Sequence, residues 1–246
     1  MKSLRCFSLF LFVVALPGSV CFSQSPRNSA AASPQNGLTV SVQELATPPK
    51  AERNFMKGTT LLLKGDPQGS VPYFRQAIEI APNIYRFHHN LALAFYRMGQ
   101  LEESGDEFQK VIDLTSGNFA PAIFGRSMIL YRQGDLDHAE TLVRNGLLVD
   151  PGSAIGKYCL GLVQYSLGRL IDAERSAQDA VRNTPRENDA YVLLARIHER
   201  LNNPNAVIAD IQSYLKGDPH GTLQDDAQKL LQRAQADVSR LSASLK

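Results

Sequence analysis

The chain has 246 residues, 43% of them hydrophobic, and carries 26 Lys and Arg residues against 24 Asp and Glu residues. This near balance lacks the basic field on which nucleic-acid binding depends, so a nucleic-acid partner is not expected. Of the three cysteines, Cys6 and Cys21 precede residue 24, and Cys159 alone cannot form an internal disulfide, so stability has to come from packing.

Residues 1–23 have the features of an export signal. Lys2 and Arg5 make the start basic, the run Cys6–Leu16 is apolar or small, and small residues near Ser23 offer a cleavage site. The apolar run is shorter than the ~20 residues that a membrane-spanning helix needs. We therefore predict a signal peptide whose removal leaves 24 basic and 24 acidic residues in an exported protein, periplasmic or secreted, without membrane attachment.

Two alternatives concern the same segment. An uncleaved apolar segment would leave the protein anchored in a membrane, and the sequence leaves that alternative open. Lipid attachment at Cys21 is disfavoured, because bacterial lipid-attachment motifs want a small residue at the position of Val20.

Residues 24–50 are predicted to be a disordered linker. Residues 24–37 are small, polar and interrupted by proline, so they have almost nothing to bury. Apolar residues alternate briefly from Leu38 to Leu45, before Pro48 and Pro49, which we expect to stop any regular element. This stretch is either a short docking segment or a partly ordered linker that leans on the first helix.

From Ala51 onward the sequence resembles itself at a shift of 34 residues, with a single interval of 35 near Phe119. Equivalent positions in successive repeats form columns. One column holds residues that tolerate a positive φ and can turn the chain between helices: Gly65, Gly99, Gly134, Gly168 and Asn202. A second column closes each unit with residues that stop a helix or start the next: Pro82, Ser116, Pro151, Pro185 and Pro219. Small residues precede and follow each turn, which lets two antiparallel helices cross closely.

Apolar columns at helical spacing give each second helix an inward stripe. The largest members of one such column are Phe74, Phe108, Val143 and Ile211. Helix starts are marked as well, because Asp66 and Asn203 each place a capping side chain directly before a proline.

These columns resemble the tetratricopeptide repeat, whose unit of 34 residues is a helix-turn-helix. The resemblance covers five units, at residues 51–84, 85–118, 120–153, 154–187 and 188–221, and implies an all-α fold, a right-handed α-solenoid. Unit three departs from the pattern at Arg126, and unit five departs at Asn202 and Val207, so we expect unit five to be looser.

Residues 222–246 are predicted to be a C-terminal capping helix, because the last unit of such a stack needs a cover. Thr222 can cap its start. One face carries a continuous apolar stripe, made of Leu223, Ala227, Leu230, Leu231, Ala234, Val238 and Leu241.

The sequence offers no catalytic, metal or cofactor site. The five histidines lack metal-ligand spacing, and Cys159 has no evident base partner. The stretch from Gly152 to Lys157 is one residue short of a phosphate-binding loop and lacks the Ser or Thr that should follow.

In the family that the repeat resembles, the first helix of each unit lines a concave groove, and the resemblance implies that partner-binding residues lie there. Three tyrosines share one column and three arginines the next, and the other candidates lie one or two helical turns earlier. The candidates are Phe55, His89, Asn90, Tyr96, Arg97, Phe124, Tyr131, Arg132, Tyr158, Tyr165, Arg196 and Arg200. Tyrosines offer rigid contact area and arginines offer planar donors to carboxylates, which favours a peptide partner with an acidic segment.

An alternative interpretation is that the tyrosines pack against the neighbouring unit. Family members that clamp the carboxylate tails of chaperones need a lysine and asparagine pattern of which this chain has only Asn90, so that ligand is excluded. The sequence therefore predicts a non-catalytic scaffold or adaptor that holds a partner polypeptide. The rivals are a membrane-tethered adaptor and, less favoured, an enzyme using His89 with Arg97.

Overall fold

The computed structural model describes residues 47–183, 189–218, 221 and 223–244. The predicted signal peptide, nearly all of the predicted linker and the predicted cap Thr222 lie outside these residues. Within the described part the chain forms eleven α-helices and no strand. They are α1 Pro49–Leu63, α2 Pro67–Ile80, α3 Tyr85–Met98, α4 Leu101–Leu114, α5 Ala120–Gln133, α6 Leu136–Val149, α7 Ala154–Ser166, α8 Leu170–Asn183, α9 Asp189–Arg200, α10 Pro204–Gly217 and α11 Gln224–Ser244. The predicted all-α repeat fold is confirmed.

The helix boundaries follow from the capping residues. Asp66 accepts a hydrogen bond from the Gly69 backbone N–H at 2.8 Å, and Asn203 accepts one from Ala206 at 3.2 Å, as predicted. Pro49 begins α1, because a proline in the first turn gives up no helical hydrogen bond. The stretch from Leu38 to Leu45, which Pro48 and Pro49 were expected to end, lies outside the described residues.

The turns inside the units use the left-handed conformation. Gly99 has φ 78°, and the Gln100 N–H reaches back to the Phe95 carbonyl at 3.0 Å, which closes α3. In unit five Asn202 adopts φ 55° in place of the glycine that the other turns use. Asparagine tolerates this conformation better than most residues with a side chain, so the hairpin of unit five is preserved.

Within each unit the two helices cross closely at the small residues. A Cβ added to Gly58 would lie 2.7 Å from the Phe74 ring, so the ring occupies the space where a side chain would be. Phe74 is fully buried as a result. The column of small residues is therefore a packing requirement between paired helices.

The layers of the stack differ in their contacts. Among the described helices, the first helices of successive units (α1, α3, α5, α7 and α9) contact one another, whereas the second helices do not. Each first helix also packs on the second helix of the unit before it. The first helices therefore form the inner layer of a curved stack and the second helices its outer layer.

The terminal helix covers the last unit. Leu223, Ala227, Leu230 and Ala234 are buried against α10, in a cluster that includes Ile211 and Tyr214. The predicted stripe does not extend to Leu241, which is 57% exposed. With 21 residues α11 is longer than the 14 residues of α10, so its last turns pass beyond the surface that they would cover. None of the described helices is long and apolar enough to cross a membrane.

Candidate functional site

The inner layer carries the predicted groove residues, and the tyrosine column packs between units. Tyr96 is buried, and the Arg132 guanidinium of the next unit lies 5.1 Å from its ring centroid. Tyr131 accepts a hydrogen bond from the Ser166 hydroxyl of unit four at 3.2 Å. Both contacts support the alternative interpretation that the tyrosines help to join neighbouring units.

The arginine column also joins units. Arg97 donates to the Leu62 carbonyl at 2.6 Å, and Arg200 donates to the Tyr165 carbonyl at 3.2 Å, in each case 35 residues earlier. Leu62 and Tyr165 lie in the last turns of α1 and α7, where backbone carbonyls have no partner within the helix. Each arginine thus places a cation at the negative end of the preceding first helix.

Three of these arginines keep an uncompensated charge. Arg97, Arg132 and Arg200 are exposed, and none of them is paired with a carboxylate in the part of the chain that the structure describes. A guanidinium has five N–H donors, so a carbonyl contact leaves most of them available. These three residues are referred to below as the arginine row.

Two further arginines of the inner layer, Arg86 and Arg196, are neutralised by carboxylates. Arg86 forms a bidentate pair with Glu52 at 3.1 and 2.5 Å and lies over the Phe55 and Phe87 rings. Arg196 pairs with Asp226 of the terminal helix at 2.9 Å. Arg196 therefore helps to attach the cap, a role that the sequence did not suggest.

Several predicted partner contacts lie deep in the wall. Phe55, His89, Phe124 and Tyr158 are at most 3% exposed. His89 packs edge-on against the Phe108 and Phe119 rings, with centroids 5.7 and 5.1 Å away. In this conformation these side chains shape the groove, and they offer little surface to a partner.

Asn90 is also buried, and its amide donates to the Thr59 hydroxyl of unit one at 3.1 Å. It is another inter-unit contact. The repeat length could have revealed such pairs. Thr59 lies 31 residues before Asn90, close to one repeat, and faces it across the boundary between units.

An acidic group at the C-terminal end of the groove was not among the candidate site residues. Asp189 begins α9, and its burial raises the carboxyl pKa to about 6, with a further contribution from Asp218. Burial also raises the pKa of Tyr158 well above its ordinary value, with Asp189 adding to the effect. No sequence pattern pointed to the pair of Asp189 and Asp218, because Asp218 follows the end of a different helix.

The structure offers little to the enzyme alternative. Among the described residues no group of three or more His, Cys, Asp or Glu side chains could hold a metal ion. His89 has no exposed surface, and Arg97 is engaged with the Leu62 carbonyl. A histidine ring buried in this way does not present a reactive nitrogen to a substrate in the groove.

A cavity of about 370 Å³ lies between the turn of unit five and the terminal helix. Val207, Leu230 and Ala234 contribute apolar surface, and Glu199, Asp237 and Arg240 contribute charged groups.

Comparison with known proteins agrees with the geometry. The family model of the tetratricopeptide repeat matches residues 55–119, 124–183 and 160–222. A TPR repeat-containing protein of Methanocaldococcus jannaschii, MJ1428, is 25% identical over 170 residues, which are 65% of this chain and 30% of that protein. This chain thus spans less than a third of that relative.

Two solved structures are similar in fold. TTC0263, a thermophilic TPR protein of Thermus thermophilus, has a TM-score of 0.65 at 18% identity and covers 76% of this chain and 98% of its own. YrrB, described as a TPR protein with an unusual peptide-binding site, has a TM-score of 0.50 at 14% identity, with 72% and 89% coverage. At these identities the likeness concerns the fold alone.

Proposed function

Since the chain belongs to the tetratricopeptide repeat family, we propose that it is a non-catalytic scaffold or adaptor that binds an acidic segment of a partner polypeptide. The arginine row carries this proposal. Arg97, Arg132 and Arg200 are exposed cations on the inner layer, and each is positioned by a carbonyl or a ring of the preceding unit. Such pre-positioned guanidinium groups favour carboxylates as ligands.

The likeness to YrrB supports a peptide as the kind of partner, since that protein is described as having a peptide-binding site. Only two of the three tyrosines in the column have surface available for a partner. Tyr131 and Tyr165 are partly exposed and can add contact area beside the arginines, whereas Tyr96 is buried. We expect the arginine row to provide charge, and Tyr131 and Tyr165 to provide apolar surface.

Export is part of the proposal and rests on residues 1–23. The protein would act in the periplasm or outside the cell after cleavage, and the alternative is an adaptor that keeps this segment as an anchor. N-terminal sequencing of the protein from its native compartment separates the two. A start near Gln24 supports cleavage, and a start at Met1 would contradict it.

The binding proposal is tested by crosslinking and pull-down from the native compartment, followed by affinity measurements with the captured segment. Arg132→Gln is the informative variant, because Arg132 stacks on Tyr96 without the carbonyl bond that Arg97 and Arg200 make. We expect this variant to weaken binding about tenfold and to reduce its salt dependence, since a charge-assisted contact is worth ~1.5–3 kcal/mol.

The matched control is Arg182→Gln, which removes an exposed arginine from the second helix of unit four, where it pairs with Asp179 at 3.1 Å. It should leave capture unchanged. Equal capture and equal salt dependence for the wild type and Arg132→Gln would remove the arginine row from the binding site.

A further inference from the structure

His198 bridges two units through both nitrogens of its ring. It lies on α9 in unit five. Its Nδ1 is 2.6 Å from the Asp210 carboxylate on α10, and its Nε2 is 3.2 Å from the Glu174 carboxylate on α8 in unit four. The side chains of His198 and Asp210 are 12% and 15% exposed, so water can replace these contacts only in part.

The arrangement requires a charged ring. A carboxylate only accepts hydrogen bonds, and a neutral imidazole has one N–H, so the neutral ring can serve one of the two partners. The imidazolium form donates to both. Deprotonation therefore leaves a ring nitrogen facing a carboxylate oxygen without a hydrogen between them, either within unit five or across the boundary to unit four.

We propose that protonated His198 locks the C-terminal end of the stack to unit four, and that loss of its proton releases this end. The released part is unit five with its cover, α9 to α11. Because α9 carries Arg200 of the arginine row, release would also weaken partner binding; this last consequence rests on the proposed function.

The charges around the ring act on both members of the pair, because burial raises the pKa of Asp210 while its hydrogen bond to His198 opposes that rise. The hydrogen bond to Asp210 is the main reason that the pKa of His198 is raised above its ordinary value, burial opposes it, and Glu174 adds to it. Glu174 also accepts from the Gln178 amide at 3.0 Å on its own helix. The charges next to these residues along the chain are paired elsewhere. Glu199 of α9 pairs with Arg233 of α11 at 3.1 Å, and Arg175 pairs with Asp172 within α8 at 3.9 Å.

The direction of the effect follows from the raised pKa. The folded state holds the His198 proton more tightly than the unfolded state, so the link is fully present below the ordinary histidine value of about 6.5. It is lost as the pH rises through the folded value. Asp189, with a pKa of about 6, changes little above pH 6.5 and does not obscure this range.

Hydrogen exchange of the full chain without any partner, at pH 6.5, 7.5 and 8.5 and corrected for the intrinsic exchange rate, tests the proposal. We expect protection in α9, α10 and α11 to fall toward pH 8.5, by up to about tenfold for each unit by which the pKa is raised. Protection in α1 to α6 should change little, because the units contact only their neighbours.

Asp210→Asn is the decisive variant. The asparagine amide can donate to Nδ1 of a neutral ring, whose Nε2–H still donates to Glu174, so both contacts survive without the charge. We expect its C-terminal protection to be independent of pH between 6.5 and 8.5. A general structural role for Asp210 would lower protection at every pH instead.

His138→Gln is the control, since His138 is exposed and its ring pairs with Asp135 at the start of its own helix. It should behave like the wild type. Wild-type protection that does not change with pH, or a pH dependence that persists in Asp210→Asn, would overturn the lock. Since no partner is present, either result would leave the proposed binding function untouched.

Discussion

At the scale of single residues, the side chains proposed to contact a partner in the groove also make contacts between neighbouring units. Arg97 was predicted to contact a partner, and it also donates to the Leu62 carbonyl of the preceding unit. Its replacement by Ala should therefore lower stability, so a loss of capture in that variant cannot be assigned to a partner contact alone. Arg132 lacks this carbonyl bond, which makes it the cleaner probe of binding.

Asp189 gives a residue-scale prediction about pH. Its pKa is raised from 3.8 to about 6, which corresponds to at most about 3 kcal/mol, and partial exposure reduces this. Because the folded state favours the neutral acid, the carboxylate destabilises the fold above its ordinary pKa. Asp189→Asn should therefore raise the free energy of unfolding by about 1–2 kcal/mol at pH 8, with the gain shrinking as the pH falls through 6 toward 4.

Urea denaturation at pH 8 and pH 4 measures this gain. The exposed Asp106 on α4 provides the control, and Asp106→Asn should show no gain that depends on pH. If Asp189→Asn stabilised the protein equally at both pH values, the buried charge would not be the cause.

At the scale of elements, the stack is closed by α11. Its inner face buries Val207, Ile211 and Tyr214 of unit five, and the Leu223 N–H donates to the Tyr214 hydroxyl at 3.1 Å. The sequence located this helix through its apolar stripe. It did not reveal which residues of the stripe are buried, because that depends on the length of α10 beneath the helix.

Two truncations separate the covering part of α11 from the rest. Deleting residues 222–246 should lower the melting temperature and broaden the transition, because it uncovers the apolar side of α10. Deleting only 237–246 removes the exposed Leu241 and should have little effect. Thermal melts followed by circular dichroism would show the difference, and equal melts for the longer deletion and the parent would refute the capping role.

At the scale of the whole molecule, the stack behaves as a chain of neighbours. Unit one adjoins one other unit and unit three adjoins two. The loss of a core side chain should therefore destabilise fewer neighbours in unit one than in unit three. Phe74 fills the space beside Gly58 in its own unit, and Phe124 of unit three fills the space beside both Gly146 of its own unit and Gly156 of unit four. The helices that lose stability after a core substitution should therefore depend on which unit carries it.

Phe74→Ala and Phe124→Ala should each cost ~3–5 kcal/mol as core truncations. Hydrogen exchange should show lost protection confined to α1 to α3 for Phe74→Ala, and lost protection on both sides of unit three for Phe124→Ala. Uniform loss across all units in both variants would mean that the stack unfolds as a single cooperative body.

The sequence by itself determined the all-α repeat fold, the turn residues and the capping helix, because caps, turns and helical periodicity are local and recur with the unit. It also placed the arginine row on the inner layer. Only the tertiary structure decided which groove residues are exposed, and that Arg97, Arg200 and His198 join neighbouring units. These contacts connect residues 24 to 35 positions apart on different helices, and the direction of a side chain across such a boundary is fixed by packing, which a one-dimensional pattern does not contain.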